Sequence, residues 1–449
     1  MSDQQLAVGI DIGTSSVKAL AADPDGNVVA QSRVPHEIQI PAPDRFQHDA
    51  AAAWHRGPLA ALDALGLDEA PVGVSVSAMV PSLTAVDDAG MPCTPGLLYG
   101  DGRGRSSGAA ASPAESGELL AFLRWTVAQR PDATGFWPAT AVANHALGGE
   151  AVLDTSTAAT AYPLFDWTGW DPALAAELDI GVEQLPRLVP TAWECGRVGG
   201  EVSGPVLASG CIDALADQVV AGADHDGDVL ALLGTTLIVN TVTTNEAEVP
   251  GYWVIPHTAK GKLLAGGPSN VGGLFVNWAT SSLREVAPDD RPRPDRVPVW
   301  APYPRGERTP LHDPDRRALL TDLDLTHDVA AIRRAAFEAS GFVARRAIDA
   351  VRAAHGTSPR RIVATGGGTR VDDWVQALAD CTGLPVECTA VPEGAALGSA
   401  FFARCAAGLE SGGMVSASRW ARPGRTVKPD PAWLEPCAER YFRFLELSR

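Results

Sequence analysis

The chain has 449 residues, a formal net charge of −18, and 45% hydrophobic and 20% charged residues. That balance is ordinary for a soluble globular protein of two or three domains, and the acidic surface argues against nucleic acid or anionic membrane as the main partner. No apolar run is long enough to cross a bilayer, Met1 to Gln5 lacks the basic and apolar regions of a signal peptide, and seven scattered cysteines form no C-x-x-C pair, so a cytoplasmic protein with reduced thiols is expected.

The first organised stretch is Gly9-Ile-Asp-Ile-Gly-Thr-Ser-Ser-Val-Lys18. Apolar residues lead in from Leu6, the turn is Gly13-Thr14-Ser15-Ser16, and Val17 to Ala22 leads out as a second strand. Asp11 sits at the end of a buried strand, where an unpaired carboxylate is costly. A Mg²⁺ ion, held directly or through water, would supply a partner. The turn's N–H groups and hydroxyls suit phosphate oxygens, and Lys18 can set a positive charge on them. An ordinary hairpin with a solvated Asp accounts for the same residues. After the Asp23-Pro-Asp-Gly26 turn, Asn27 to Val34 predicts a third strand. Three antiparallel strands before any helix set a dinucleotide-binding fold aside.

A helix is predicted over Ala50 to Leu65, with short strands at Val72–Val76, Leu83–Val86 and Gly96–Tyr99, the last running into Gly100-Asp-Gly-Arg103. Gly104 to Gly117 reads as a flexible loop. Helices follow at Glu118–Gln129 and around Asp171–Leu178, and Pro205–Gly210 is strand-like before Cys211-Ile-Asp213 opens another helix. A second block then repeats the opening pattern without its Asp: strand Val229–Leu233, turn Gly234-Thr-Thr236, strand Leu237–Val242. Two phosphate-turn hairpins, each near a domain's start, suggest two similar domains facing one nucleotide, divided as 1–222 and 223–449. Arg291–Pro304 is proline-rich and is expected to wrap the surface. Further on come a long amphipathic helix at His327–Ala354, a strand at Ile362–Ala364 entering Thr365-Gly-Gly-Gly368, a helix at Asp372–Thr382 and a strand at Val386–Thr389. Gly394–Ala407 predicts a helix whose small residues permit close packing, and the last residues read as an exposed tail with a helix near Glu435–Leu447.

In this order the motifs resemble the FGGY-type carbohydrate kinases of the actin-like and sugar-kinase ATPase superfamily, nearest locally to xylulose and gluconate kinases. They are Gly9–Lys18, Gly100–Arg103, Ser209-Gly-Cys-Ile-Asp213, Leu233-Gly-Thr-Thr236, Gly266-Gly-Pro-Ser-Asn270, Gly306-Glu-Arg-Thr-Pro310, Gly366-Gly-Gly368 and Pro392-Glu-Gly-Ala-Ala-Leu-Gly398. The resemblance implies an α/β protein of two ribonuclease-H-like domains, with ATP and a sugar or polyol acceptor in an interdomain cleft. It implies that Asp11 attends Mg²⁺, and that Gly13, Thr14, Ser15 and Lys18 meet the terminal phosphates. Gly234, Thr235 and Thr236 match the second phosphate loop, and Gly366, Gly367 and Gly368 the loop on the adenosine side. Asp213 matches the catalytic base, although its position also permits a helix N-cap. Met79, Tyr99, Asp101, Arg103 and Asp213 match acceptor-side positions, where Asp101 and Arg103 could equally form a buried structural ion pair.

The departures fall on that acceptor side. Tyr99 stands where members often have Trp, Val80 and Pro81 replace a His after Met79, and Phe122 stands three residues before Trp125 in place of a Lys. In the second family signature Asp322 replaces a Gly and Ala331 a polar residue, while Glu338 remains. The implied activity is ATP- and Mg²⁺-dependent phosphorylation of a small sugar, polyol or sugar acid. A kinase of an unusual acceptor such as a cyclitol, and a non-catalytic nucleotide- or sugar-binding regulator, stay open, as does assembly as a homodimer.

Overall fold

The structure is a computed structural model describing residues 5–104, 118–284 and 291–449. Beyond Gly104, the loop expected up to Gly117 lies outside the described residues. The chain forms two compact units that part between Val220 and Ala221, close to the expected boundary. The segment Glu393–Ala421, which the sequence suggests belongs with the second half, packs within the first unit.

The first unit is built on the sheet Glu194–Arg197, Val206–Ala208, Gly73–Ala78, Ala7–Ile12, Ser16–Ala22, Val28–Pro35. Ala7–Ile12 is buried along its whole length because it lies mid-sheet, parallel to Gly73–Ala78 and antiparallel to Ser16–Ala22. Such a strand reads as a continuous apolar run, which makes Asp11 conspicuous. At the edge, Val28–Pro35 alternates half-buried and exposed positions. The helix Gly394–Ala406 packs on this sheet so closely that a Cβ on Gly9 would lie 1.8 Å from the Ala396 carbonyl oxygen, and one on Gly398 would lie 1.9 Å from that of Ala216. Small residues in this helix are therefore what attach it to the first unit. A smaller sheet, Gln39–Ala42, Arg45–His48, Gly96–Leu98, Ser82–Val86, Gly135–Trp137, stands beside the main one.

The second unit repeats the core arrangement. Its sheet runs Trp253–Pro256, Leu263–Ser269, Leu237–Thr243, Asp228–Leu233, Arg361–Thr365, Val386–Thr389, Pro423–Val427. Again the leading strand of the hairpin is flanked by one parallel strand and one antiparallel strand.

Two expectations fail here for the same reason. The proline-rich stretch is not a surface wrap: Val297, Val299, Trp300, Ala301 and Tyr303 are buried in the main core. Nor is the C-terminus an exposed tail, since Pro423–Val427 pairs with Val386–Thr389 and the helix Pro431–Leu447 buries Trp433, Cys437, Tyr441 and Phe444. In both stretches the apolar side chains outweigh the local polar character. Glu338 explains itself by this packing. Burial raises its pKa, but Arg440 and Arg334, both within hydrogen-bond reach, outweigh that and hold the carboxyl below its usual range. Asp322, where the resemblance implied a Gly, has φ of 62°, a left-handed conformation that Asp tolerates better than most residues, and it pairs with Arg443 at 3.2 Å.

Candidate active site

Strand register decides what meets in the first unit. Asp11 lies opposite Ser77, and Ser77 lies opposite Cys211, on three adjacent parallel strands. Two residues further along each strand come Gly13, Met79 and Asp213. The expected phosphate turn, an acceptor-side residue and the expected base thus leave the carboxyl end of one sheet side by side, spread over two strand spacings or roughly 10 Å. Ligands of open α/β sheets bind at that end. Gly210 makes the approach possible. Its φ is +78°, and a Cβ there would stand 2.3 Å from the Val76 carbonyl oxygen. Asp213 is the first residue of the helix Asp213–Ala221, half-buried at the sheet's end, and its carboxylate accepts the Ala214 N–H at 2.7 Å.

Asp11 and Lys18 face each other across the hairpin, with Nζ 3.9 Å from the carboxylate. Burial pushes the Asp11 pKa up, Lys18 pulls it down, Glu393 pushes it up again, and the net direction is upward. Among the described residues no three His, Cys, Asp or Glu side chains gather as a ready metal cage. Mg²⁺ does not need one, since it keeps several waters and takes one or two carboxylates plus phosphate oxygens. A single buried, partly compensated carboxylate beside the expected phosphate turn fits that requirement.

The turn itself is braced from behind. The Gly13 N–H reaches the Ser16 carbonyl at 3.1 Å, the His36 N–H reaches that of Ser15 at 3.1 Å, and the Thr14 carbonyl oxygen lies 2.8 Å from His48 Nε2. His48 is fully buried and receives the Trp54 indole N–H on Nδ1 at 3.0 Å. Burial first, and the neighbouring His36 ring second, push the His48 pKa down to about 4. The Thr14 hydroxyl is 2.8 Å from that of Tyr99. Sequence reasoning missed His48 and Trp54, which lie 34 and 40 positions from Thr14 on an unremarkable strand and helix; only their pairing in space marks them.

The acceptor-side loop takes the structural alternative for Asp101. Its carboxylate is fully enclosed, accepting the Phe46 N–H at 2.7 Å, the Arg103 N–H at 2.8 Å and the Arg103 guanidinium at 2.7 Å. The guanidinium also lies over the Trp125 ring, 4.6 Å from its centroid. Glu118 accepts the Gly100 N–H. These bonds shape the loop that carries Tyr99. Phe122, where the resemblance implied a Lys, is part of an apolar core.

In the second unit the turn 234–236 is tied back by a helix. The Gly273 N–H donates to the Gly234 carbonyl at 2.8 Å and the Leu274 N–H to that of Thr235 at 3.1 Å, from the first turn of Gly273–Ser281. The expected adenosine loop divides. A Cβ on Gly366 or Gly368 would crowd Leu233 at 2.9 or 2.7 Å, whereas one on Gly367 would meet nothing within 4 Å. Two of the three glycines are therefore needed for packing, and only Gly367 faces open space.

Comparison with known proteins agrees with this geometry. The N-terminal domain of the FGGY family of carbohydrate kinases matches residues 6–109, and the C-terminal domain of that family matches residues 229–407. The chain belongs to the FGGY family of carbohydrate kinases. It is 26% identical to a xylulose kinase of Klebsiella pneumoniae over 89% of each chain, and 26% identical to a glycerol kinase of Rhodospirillum rubrum over 92% of this chain and 93% of that one. Its fold matches the crystal structure of gluconate kinase from Lactobacillus acidophilus with a TM-score of 0.79 at 21% identity, covering 98% of this chain and 97% of that one. As an FGGY kinase the protein is a phosphotransferase with an alcohol acceptor, an ATP-dependent kinase of a sugar or polyol. No described helix is long and apolar enough to cross a membrane.

Proposed function

We propose that this kinase phosphorylates a hydroxyl of a small, uncharged sugar or polyol, with xylulose-like ketoses first among them, and that Asp213 is the base. The observation that carries the reading is the register Asp11–Ser77–Cys211, which sets the phosphate turn and Asp213 at one sheet end. Phosphoryl transfer asks the protein mainly for alignment and charge compensation. Asp213 orients the acceptor hydroxyl and takes its proton as the new O–P bond forms. Lys18 and the N–H groups of Thr14 and Ser15 hold the phosphates, and Thr235 and Thr236 offer the turn amides of the second unit. Gly367 lets the nucleotide approach the backbone. Asp11 would hold Mg²⁺, which when bound neutralises phosphate charge.

The preference for an uncharged acceptor comes from the cations of the acceptor-side loop. Arg103 is neutralised by Asp101, and the position where the resemblance implied a Lys holds buried Phe122. A carboxylate such as that of gluconate gains no charged partner from either. Met79 and Tyr99 remain as acceptor-side contacts, with Asp101 and Arg103 as the frame behind them. A coupled ADP-release screen over pentuloses, polyols, cyclitols and aldonates tests this. The highest kcat/KM is expected on a ketose or polyol; turnover confined to aldonates contradicts the acceptor class, and no turnover on any of the panel contradicts the kinase reading of these residues.

A further inference from the structure

Trp54, His48 and Thr14 form a chain of hydrogen bonds with a defined direction. The indole N–H can only donate, so His48 Nδ1, which it reaches at 3.0 Å, is an acceptor. In a neutral imidazole the hydrogen then sits on Nε2, and Nε2–H donates to the Thr14 carbonyl oxygen 2.8 Å away. A trans peptide points its C=O and its N–H in opposite directions. Holding the Thr14 carbonyl toward His48 therefore turns the Ser15 N–H the other way, and Ser15 is exposed while Thr14 is buried.

We propose that Trp54 and His48 are a positioning pair for the phosphate turn: Trp54 selects the ring tautomer, and His48 locks the Thr14–Ser15 peptide so that its N–H faces a phosphate. This rests on the reading of Gly13 to Ser15 as a phosphate turn. Neither residue touches the reacting atoms. The second unit meets the same need without a side chain, since the N–H groups of Gly273 and Leu274 draw back the carbonyls of Gly234 and Thr235. Tying turn carbonyls to the protein interior is thus common to both turns, and His48 is the first unit's means of doing it. The titratable group facing the His48 ring is His36, with ring centroids 4.4 Å apart; the Trp54 indole and the Thr14 peptide carry no charge.

The test compares wild type with His48→Gln, His48→Leu and Trp54→Phe by calorimetric titration with Mg·ADP, and reads the wild-type ring by ¹⁵N NMR. The wild-type spectrum should show His48 with hydrogen on Nε2 and a bare Nδ1. His48→Leu should weaken Mg·ADP binding by roughly five- to tenfold, the worth of one hydrogen bond. His48→Gln, whose amide N–H can reach the same carbonyl, should recover most of that, and Trp54→Phe should fall between. An Nδ1–H ring, a folded His48→Leu protein that binds as wild type does, or a Gln variant no better than Leu overturns the proposal. Should His48→Leu fail to fold, the ring spectrum and the Gln and Phe variants decide. Wild type that binds no Mg·ADP overturns the kinase reading and this one with it, whereas normal wild-type binding with unaffected variants overturns this one alone.

Discussion

The two hairpins solve one problem with different chemistry. Each sends a buried strand into a short Gly-Thr turn and back, with a parallel strand on its other side. In the first, the residues facing each other near the turn are Asp11 and Lys18; at the matching register of the second they are Leu232 and Ile238. The first turn is held by a histidine and the backbone of a following strand, the second by the start of a helix. The difference teaches that the same strand-turn-strand can be fixed with or without buried charge, and that charge is placed in the first hairpin only. A carboxylate and its lysine are expensive to bury, and the second hairpin has an apolar pair at the matching register instead.

The largest effect should come from making the first hairpin like the second. Asp11→Leu combined with Lys18→Ile keeps the shape of a buried cross-strand pair and removes both charges. We expect a folded protein whose kcat falls on the order of 10³-fold or more, measured by coupled ADP release at saturating Mg·ATP. Turnover near wild type would mean that the charges are structural.

The bracing can be separated by pH. His48 has a folded-state pKa of about 4, below its ordinary 6.5. The unfolded state therefore takes up the proton first, and stability is full above about 6.5 and falls as the pH drops toward 4, by on the order of 3 kcal/mol once both values are passed. Among the described residues, the bonds that hold the second turn are backbone bonds, which do not titrate. Amide exchange, corrected for its intrinsic pH dependence, should rise at residues 13–15 on acidification well before it rises at 234–236. Parallel behaviour of the two turns would remove His48 as the distinguishing brace.

A smaller effect separates folding from binding within the second unit's glycines. Gly366→Ala must adopt φ near +91° with its Cβ 2.9 Å from the Leu233 carbonyl oxygen, so it should cost about 1–3 kcal/mol in urea unfolding. Gly367→Ala should unfold like wild type to within about 0.5 kcal/mol and yet bind Mg·ATP several-fold more weakly. Equal stability losses at both positions would make the whole triplet a packing feature.

Much of this was legible in the residues. Apolar runs broken by Gly-rich turns gave both hairpins, and amphipathic periodicity gave the long helix Val329–His355. The spacing of small residues in Gly394–Ala406 announced close packing, though not onto which sheet, because a Gly shows that something comes near and never what. The braces were invisible: His48 and Trp54 matter through atoms of Thr14, and no local pattern encodes a contact over that separation. Asp101 and Arg103 could be named from the motif, but whether they face a ligand or each other depends on burial, which their spacing does not carry. The proline-rich stretch and the C-terminal helix misled because prolines and charges outnumber the few large side chains that anchor them.

The central claim is that the sheet end aligns Asp213 with the phosphate turn as a base, and one substitution tests it. Asp213→Asn keeps the shape and an oxygen able to cap the helix, since Asn and Asp cap about equally well, but removes the proton acceptor. The account predicts wild-type thermal stability and Mg·ATP affinity with kcat lowered on the order of 10²–10⁴-fold. A well-folded Asp213→Asn protein with near-normal kcat would contradict it and leave Asp213 as a helix cap.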